Sequence, residues 1–215
     1  VWSLRDILPE LWYPMIYTTP LSLGIIKKTF ENPKDSEKIR YKIIDPDVDI
    51  LKLWCFTLEF VPVNHNIPET LAVSIHTPKW IIFNSADFKI DHTPAIDRPA
   101  DLAKIARIGA EWVKLYIWDS LGSNKKWRSI SEKEIWENLD ELIQKTKTRI
   151  LIATFASNVW RIIQIVNSAI KANKTIFLSG RSMVNNIEIC QQLGYIKVPK
   201  WYIRKLNEEV DTFPD

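Results

Sequence analysis

His65-Asn66-Ile67-Pro68-Glu69 leads into the run Leu71-Ala72-Val73-Ser74-Ile75, and Thr77-Pro78-Lys79 separates that run from Ile81-Ile82-Phe83. Asn84-Ser85-Ala86-Asp87-Phe88-Lys89 comes directly after. Two short apolar runs joined by a Pro-containing turn read as adjacent strands. Such a pair carries the residue before the first strand and the residue after the second to one edge of a sheet. His65 and Asp87 are then loop-end residues on a rigid scaffold, where ligands and catalytic groups usually sit. Residue type alone leaves their roles open. A lone His beside a strand is more often a structural hydrogen-bonder than a metal ligand, and a lone Asp after a strand is more often a turn former or a helix cap.

Toward the N-terminus, residues 3–11 read as a short helix with Ser3 as a candidate cap and Pro9 near its end. Met15-Ile16-Tyr17 is a short strand. Thr19-Pro20 opens a helix, since Pro is tolerated at the first helical position, with Leu21, Ile25 and Ile26 inward. Residues 31–37 read as polar loop. Residues 39–44 and 51–63 read as strands, the second alternating Phe56, Leu58 and Phe60 toward one side.

Toward the C-terminus, Asp91-His92-Thr93-Pro94 is loop and Asp101-Leu102-Ala103 starts a helix that ends near Gly109. Residues 113–117 read as a buried strand, and 119–128 as a loop carrying Lys125, Lys126 and Arg128. From Ser131 the pattern becomes α/β. Ser131-Glu132-Lys133-Glu134 fits a capping box, ahead of an apolar stripe of Ile135, Leu139 and Leu142. Residues 149–155 and 175–178 read as buried parallel strands. Residues 157–172 and 182–193 read as helices, the first with Val159, Ile162, Ile163 and Val166 inward and the second closed by Gly194. The alternation implies right-handed βαβ units, and residues 195–215 read mostly as loop. Thr154-Phe155-Ala156-Ser157-Asn158 and Ser179-Gly180-Arg181-Ser182 lie at strand-to-helix junctions, where free N–H groups favour an anion. Simple capping by Ser157 and Ser182 is the plainer account.

Composition excludes several classes. The chain has 215 residues with 46% hydrophobic and 26% charged content, which is ordinary globular composition. A net charge of +3 does not by itself argue for nucleic acid. Cys55 and Cys190 form no metal-like spacing and suit a reducing cytoplasm. No apolar run is long enough to span a membrane, and the chain opens without Met. One feature is odd: 10 Trp stand against 5 Gly.

The motifs carry a resemblance. His65-Asn66-Ile67-Pro68-Glu69 resembles the His-Ser-Ile-Pro-Asp motif of ribonuclease J, in the β-CASP branch of the metallo-β-lactamase superfamily. Asn84-Ser85-Ala86-Asp87-Phe88-Lys89 resembles that family's His-Thr-Gly-Asp-Phe-Lys. Phe155-Ala156-Ser157-Asn158-Val159 and Gly180-Arg181-Ser182-Met183-Val184-Asn185-Asn186 resemble its β-CASP signatures. Asp91-His92-Thr93-Pro94 and Asp101-Leu102-Ala103 resemble its connecting segment. The fold so implied is α/β: part of a metallo-β-lactamase αββα domain over 1–128, then part of a β-CASP parallel α/β domain over 129–215.

The resemblance implies a zinc-dependent ribonuclease, with 5′-to-3′ exonuclease and endonuclease action in RNA processing and decay. His65 would bind one of two zinc ions and Asp87 would bridge both, making them the catalytic and metal-binding pair. Ser157, Asn158 and Val159 would contact RNA near its 5′-monophosphate. A cytoplasmic homo-oligomer with no membrane attachment is the implied setting. The family's His-x-His-x-Asp-His run is absent, and Val1-Trp2-Ser3-Leu4 resembles the residues directly after that run in the family. The expectation is therefore an internal fragment, inactive alone. Asn84 and Ala86 depart from the family's His and Gly, and Leu121-Gly122-Ser123 from its Thr-Asn-Ala. The alternatives are a non-catalytic RNA-binding or scaffolding paralogue, and a DNA-directed nuclease of the same branch.

The tryptophans join this resemblance. Trp2, Trp80, Trp112, Trp136 and Trp118 fall where the family shows Gly or often does, and Gly would be natural at Trp12 and Trp54. The expectation is a UGA codon written as Trp and read as Gly in the cell. A naturally Trp-rich protein is the alternative.

Overall fold

The computed structural model describes residues 3–30, 33–124, 126 and 129–206. In chain order the elements are α1 (Leu4–Glu10), β1 (Ile16–Thr18), α2 (Pro20–Thr29), α3 (Pro33–Glu37), β2 (Tyr41–Ile43), β3 (Ile50–Leu53), β4 (Phe56–Pro62), β5 (Leu71–His76) and β6 (Ile81–Asn84). They continue with α4 (Leu102–Ala110), β7 (Val113–Ile117), α5 (Glu132–Lys145), α6 (Val159–Lys171), β8 (Ile176–Leu178), α7 (Arg181–Gln192), a 3-10 turn (Lys200–Tyr202) and β9 (Ile203–Lys205). The fold is mixed α/β. It divides into two compact units, Ile44–Ile135, and Val1–Ile43 with Trp136–Asp215 as far as these are described.

The Ile44–Ile135 unit is a five-stranded sheet in the order β3-β4-β5-β6-β7, antiparallel up to β6 and parallel between β6 and β7. One face carries Val61, Ala72, Ile81 and Phe83, which pack with Val63 and with Ile108 of α4 into a buried cluster. Burying the Val, Ile and Phe side chains among them, at about 1.5–3 kcal/mol each, holds α4 on the sheet. The other end of the same face is polar. Glu59 accepts from His76 (Nε2, 2.9 Å) and pairs with Arg107 of α4, so His76 is a structural hydrogen-bonder.

Several expectations change here. Residues 51–63 are not one strand but the β3–β4 hairpin, turning on Trp54 and Cys55 with Leu53 opposite Phe56. Trp54 carries the turn at φ 55°, and nothing in a Trp-Cys pair announces a tight turn. Strand β7 is an edge strand, so Leu115, Tyr116 and Ile117 are exposed rather than buried.

In the other unit, α2, α6 and α7 supply the core, with Leu21, Leu23, Ile26, Val159, Ile162, Ile163, Val166, Ile187, Ile189 and Cys190 buried. The inward face of α6 is as the periodicity predicts. On α2, Leu23 is buried where Ile25 was expected, and on α5 Ile143 is buried while Leu142 is exposed. Helix α2 touches α7 where Gly24 meets Ile189, and Lys28 pairs with Glu188 at 3.2 Å. Strands β1 and β2 pair in parallel, and β8 pairs in parallel with β9 across α7.

Residues 149–155 form no strand. No described strand lies beside them to supply ladder hydrogen bonds, and Leu151 and Phe155 are left uncovered, being 99% and 82% exposed. Residues 33–37, expected as loop, form α3, and the expected loop after Tyr195 contains the 3-10 turn and β9.

Candidate active site

Strands β4, β6 and β7 all run in one direction, with β5 antiparallel between β4 and β6. Their C-terminal ends therefore share one edge. Three residues just past those ends, His65 after β4, Asp87 after β6 and Asp119 after β7, are delivered to that edge by topology alone. His65 Nε2 lies 4.0 Å from Asp87 Oδ2. Asp119 is close enough to act on His65 electrostatically, and its Oδ1 accepts from the Leu121 N–H at 2.8 Å.

Local hydrogen bonds fix the pair. Asn64, next to His65, forms an isolated antiparallel bridge with Lys89, whose N–H donates to Asn64 O at 2.8 Å. The buried Asn64 amide donates to Arg98 O at 2.7 Å and accepts from the Ala100 N–H at 3.0 Å. One residue thus ties the His65 end, the Asp87 end and residues 98–100 together, its backbone carbonyl holding the Asp87 end and its side chain holding residues 98–100. Asn84 Oδ1 accepts from the Ala86 N–H at 2.9 Å, and Ala86 turns the chain at φ 53° into Asp87. Asn64 is not among the residues singled out by sequence. Its only signal there is a polar amide directly after the apolar run of β4.

The electrostatics separate the two groups. Burial is the largest influence on His65 and lowers its pKa below the ordinary histidine value. Asp87 and Asp119 oppose that shift and Lys89 adds to it. The imidazole is therefore neutral at pH 7, with a lone pair available to a ligand. Asp87 is 72% exposed and offers a solvated carboxylate.

Behind this edge lies a buried ionic network. Asp91 Oδ2 accepts from the Glu132 N–H at 2.9 Å, and Asp91 Oδ1 accepts from the Ser131 hydroxyl at 2.9 Å and the Thr93 N–H at 3.0 Å. Lys89 Nζ sits 3.5 Å from Asp91 and 2.7 Å from Glu132. Burial alone would raise the Asp91 pKa, but these donors and Lys89 outweigh it and the net shift is downward. Ser131 also accepts from the Lys133 N–H at 3.2 Å. Helix α5 is thus capped by its own Ser131 and by Asp91, forty-one positions earlier for its first amide.

The other candidate contacts lie in the other unit. Asn158, not Ser157, caps α6, its Oδ1 accepting from the Arg161 N–H at 3.2 Å. Gly180 at φ 96° occupies the N-cap of α7, displacing Ser182 from that role. Ser157 is exposed, Asn158 half-buried and the Val159 side chain buried. Lys126 is exposed; Lys125 and Arg128 of the same run, like Trp2 and Trp127, lie outside the described residues.

One imidazole nitrogen and one carboxylate are donors of the right kind for zinc. A catalytic zinc takes about three protein ligands. Among the described residues no group of three or more His, Cys, Asp or Glu side chains is arranged to hold a metal ion. The described part of the chain does not make a zinc site by itself. Nor is any described helix long and apolar enough to cross a membrane.

Comparison with known proteins bears on the family and fold. The family model for the β-CASP domain of ribonuclease J matches residues 147–215. The chain is 36% identical to ribonuclease J of Helicobacter pylori (strain ATCC 700392 / 26695) over 207 residues, covering 96% of this chain and 30% of that protein. It is 36% identical to ribonuclease J of Thermus thermophilus over 201 residues, covering 93% of this chain and 35% of that protein. It is 37% identical to ribonuclease J of Corynebacterium glutamicum over 153 residues, 71% of this chain and 21% of that protein. The chain thus spans about a third or less of the length of these relatives. A crystal structure of a protein of unknown function from Enterococcus faecalis V583 shares the fold, with a TM-score of 0.60 at 18% identity, covering 88% of this chain and 49% of that one.

Proposed function

The chain belongs to the ribonuclease J family, and we propose that the whole protein hydrolyses RNA, with His65 and Asp87 at its catalytic centre. The observation that carries this is their convergence at 4.0 Å on one sheet edge, His65 beside the Asn64–Lys89 backbone bridge and Asp87 beside the turn that the Asn84 side chain holds. The proposal extends to the family's finer features. Residues 1–128 belong to the metallo-β-lactamase domain and 129–215 to the β-CASP domain. The substrate is RNA bearing a 5′-monophosphate, cut by exonuclease and endonuclease action in the cytoplasm by a homo-oligomer. Ser157 and Asn158 hold an RNA phosphate beside the N-terminus of α6, where free N–H groups and the helix dipole favour an anion. Val159 can contribute only through its backbone, its side chain being buried.

Zinc dependence belongs to the same proposal. His65 would supply a neutral nitrogen donor and Asp87 an anionic oxygen donor, with the other donors supplied by the rest of the protein. Bound zinc supplies an activated water and positive charge for phosphodiester hydrolysis. The residues of this chain hold those two donors in place, through Asn64 and the Ala86 turn.

The test is made on the whole protein. Asp87→Ala and His65→Ala are each expected to abolish hydrolysis of a 5′-monophosphorylated RNA while leaving the circular dichroism spectrum unchanged. Either variant keeping full activity would refute its assigned role. A wild-type protein that binds RNA without cutting it, and carries no zinc by elemental analysis, would establish the non-catalytic reading instead.

A further inference from the structure

Helices need a way to stop. In four of the helices here the residue after the C-cap is left-handed: Trp12 after α1 (φ 59°), Trp112 after α4 (φ 69°), Asn173 after α6 (φ 53°) and Gly194 after α7 (φ 80°). Three of these ends share one hydrogen-bond pattern, the six-to-one and five-to-two pair of a Schellman stop. In α7 it is Tyr195 N–H to Cys190 O and Gly194 N–H to Gln191 O; in α6, Lys174 N–H to Ala169 O and Asn173 N–H to Ile170 O. In α1 it is Tyr13 N–H to Leu8 O at 2.9 Å and Trp12 N–H to Pro9 O at 3.1 Å. That left-handed position normally takes Gly, sometimes Asn. Two of the four ends here carry Trp, among the residues least suited to it, because a Cβ in this conformation crowds the following carbonyl.

A third tryptophan occupies another glycine position. Trp54 is the first residue of the two-residue β3–β4 turn, at φ 55°. Two-residue hairpin turns take Gly, Asn or Asp where φ is positive, and the type with a positive first residue takes Gly there. Burial gives no reason for the strain, though Trp54 makes one edge contact with Phe56 across the turn, ring centroids 6.4 Å apart. Trp12, Trp54 and Trp112 are 85%, 96% and 86% exposed, against 7% for Trp160, which packs edge-on to Tyr195. Composition leaves room for this: 5 Gly in 215 residues fall well short of the roughly 7% that glycine usually occupies.

We infer that positions 12, 54 and 112 are glycine in the protein as the cell makes it. The codon at each is one that the written sequence renders as Trp and the cell's ribosome reads as Gly, which fits UGA. Among the described tryptophans, left-handed backbone marks these three; Tyr13, Glu69 and Ala86 share that conformation without being tryptophan. Trp80, Trp118 and Trp136 have no left-handed backbone, so the glycine expected there gains no support from conformation. None of this depends on the ribonuclease reading.

Tandem mass spectrometry of peptides spanning the three positions, from the protein isolated from the cells that make it, tests this directly. Each peptide is expected to be lighter than the written sequence by one indolylmethyl side chain. Tryptophan at any of them overturns the inference for that position. A second measurement probes the conformational strain on recombinant whole protein. Trp112→Gly is expected to raise the folded-to-unfolded ratio about five- to thirty-fold, since a left-handed L-residue carries that much strain. Trp112→Ala, which keeps a Cβ, is expected to gain much less. Equal behaviour of the two variants would overturn the inference at position 112.

Discussion

Asp91 makes the strongest test of how this structure is held together. Its carboxylate is buried and receives two backbone N–H groups and one hydroxyl, with Lys89 at 3.5 Å. In Asp91→Ala the first amide of α5 and the Thr93 amide lose their acceptor, and Lys89 keeps only Glu132. Hydrogen bonds to a charged group are worth about 1.5–3 kcal/mol each, and a buried donor left unsatisfied costs about 1–3. Water entry and the surviving Lys89–Glu132 pair offset part of the sum. A loss of about 3 kcal/mol is expected, which for a protein of this size lowers the melting temperature by roughly 6–12 °C. Asp91→Asn keeps one acceptor oxygen and is expected to lose about half as much. Hydrogen exchange should locate the damage, with the Glu132 amide exchanging faster and α4 unchanged. The pH dependence has a fixed sign. The folded pKa lies below the unfolded one, so this stability is present above the ordinary aspartate value and is lost as pH falls through the lowered value. If Asp91→Ala shifts stability by less than about 0.5 kcal/mol, the level of an ordinary surface change, the capping role is wrong.

Single sites give further outcomes. Gly24→Ala would put a Cβ 2.6 Å from Ile189 Cγ2 and is expected to cost about 1–3 kcal/mol in denaturant titration. Gly109→Ala meets nothing within 4 Å and is expected to gain about 0.5–1 kcal/mol from helix propensity; the same sign for both would refute the packing of α2 on α7. Asn158→Ala is expected to lose about 1 kcal/mol of stability as a cap. Ser157→Ala should be near neutral in melting yet weaken binding of 5′-monophosphorylated RNA in a filter assay, and unchanged binding would remove Ser157 from the proposed contact. For His65, whose folded pKa lies below the unfolded value, stability rises with pH across the window between that lowered value and 6.5. An NMR titration placing the His65 midpoint at or above 6.5 would contradict this.

The candidate pair is legible in the sequence because its logic is local. A strand, a Thr-Pro turn and a second strand must return the chain to the edge it left, so His65 and Asp87 meet whatever surrounds them. The inward face of α6 is readable for a similar reason, since helical periodicity records which side is buried. The features that stay hidden depend on partners distant in the chain. Asn64 reaches Arg98 and Ala100, and Asp91 reaches Glu132, with no periodicity to reveal either. Residues 149–155 show the opposite failure. An apolar run states that a segment needs cover, not that a neighbour is present to form a ladder with it. The β3–β4 hairpin fails for a third reason. Its turn residue is Trp54, so the glycine-like backbone is masked by a letter that argues against a turn. Restored to glycine, Leu53-x-Cys55-Phe56 would read as a tight hairpin and the ends of α1 and α4 as ordinary stops. Only the β3–β4 turn is hidden by a tryptophan; the ends of α1 and α4 are placed correctly despite theirs, because Pro9 and the helical periodicity already mark them.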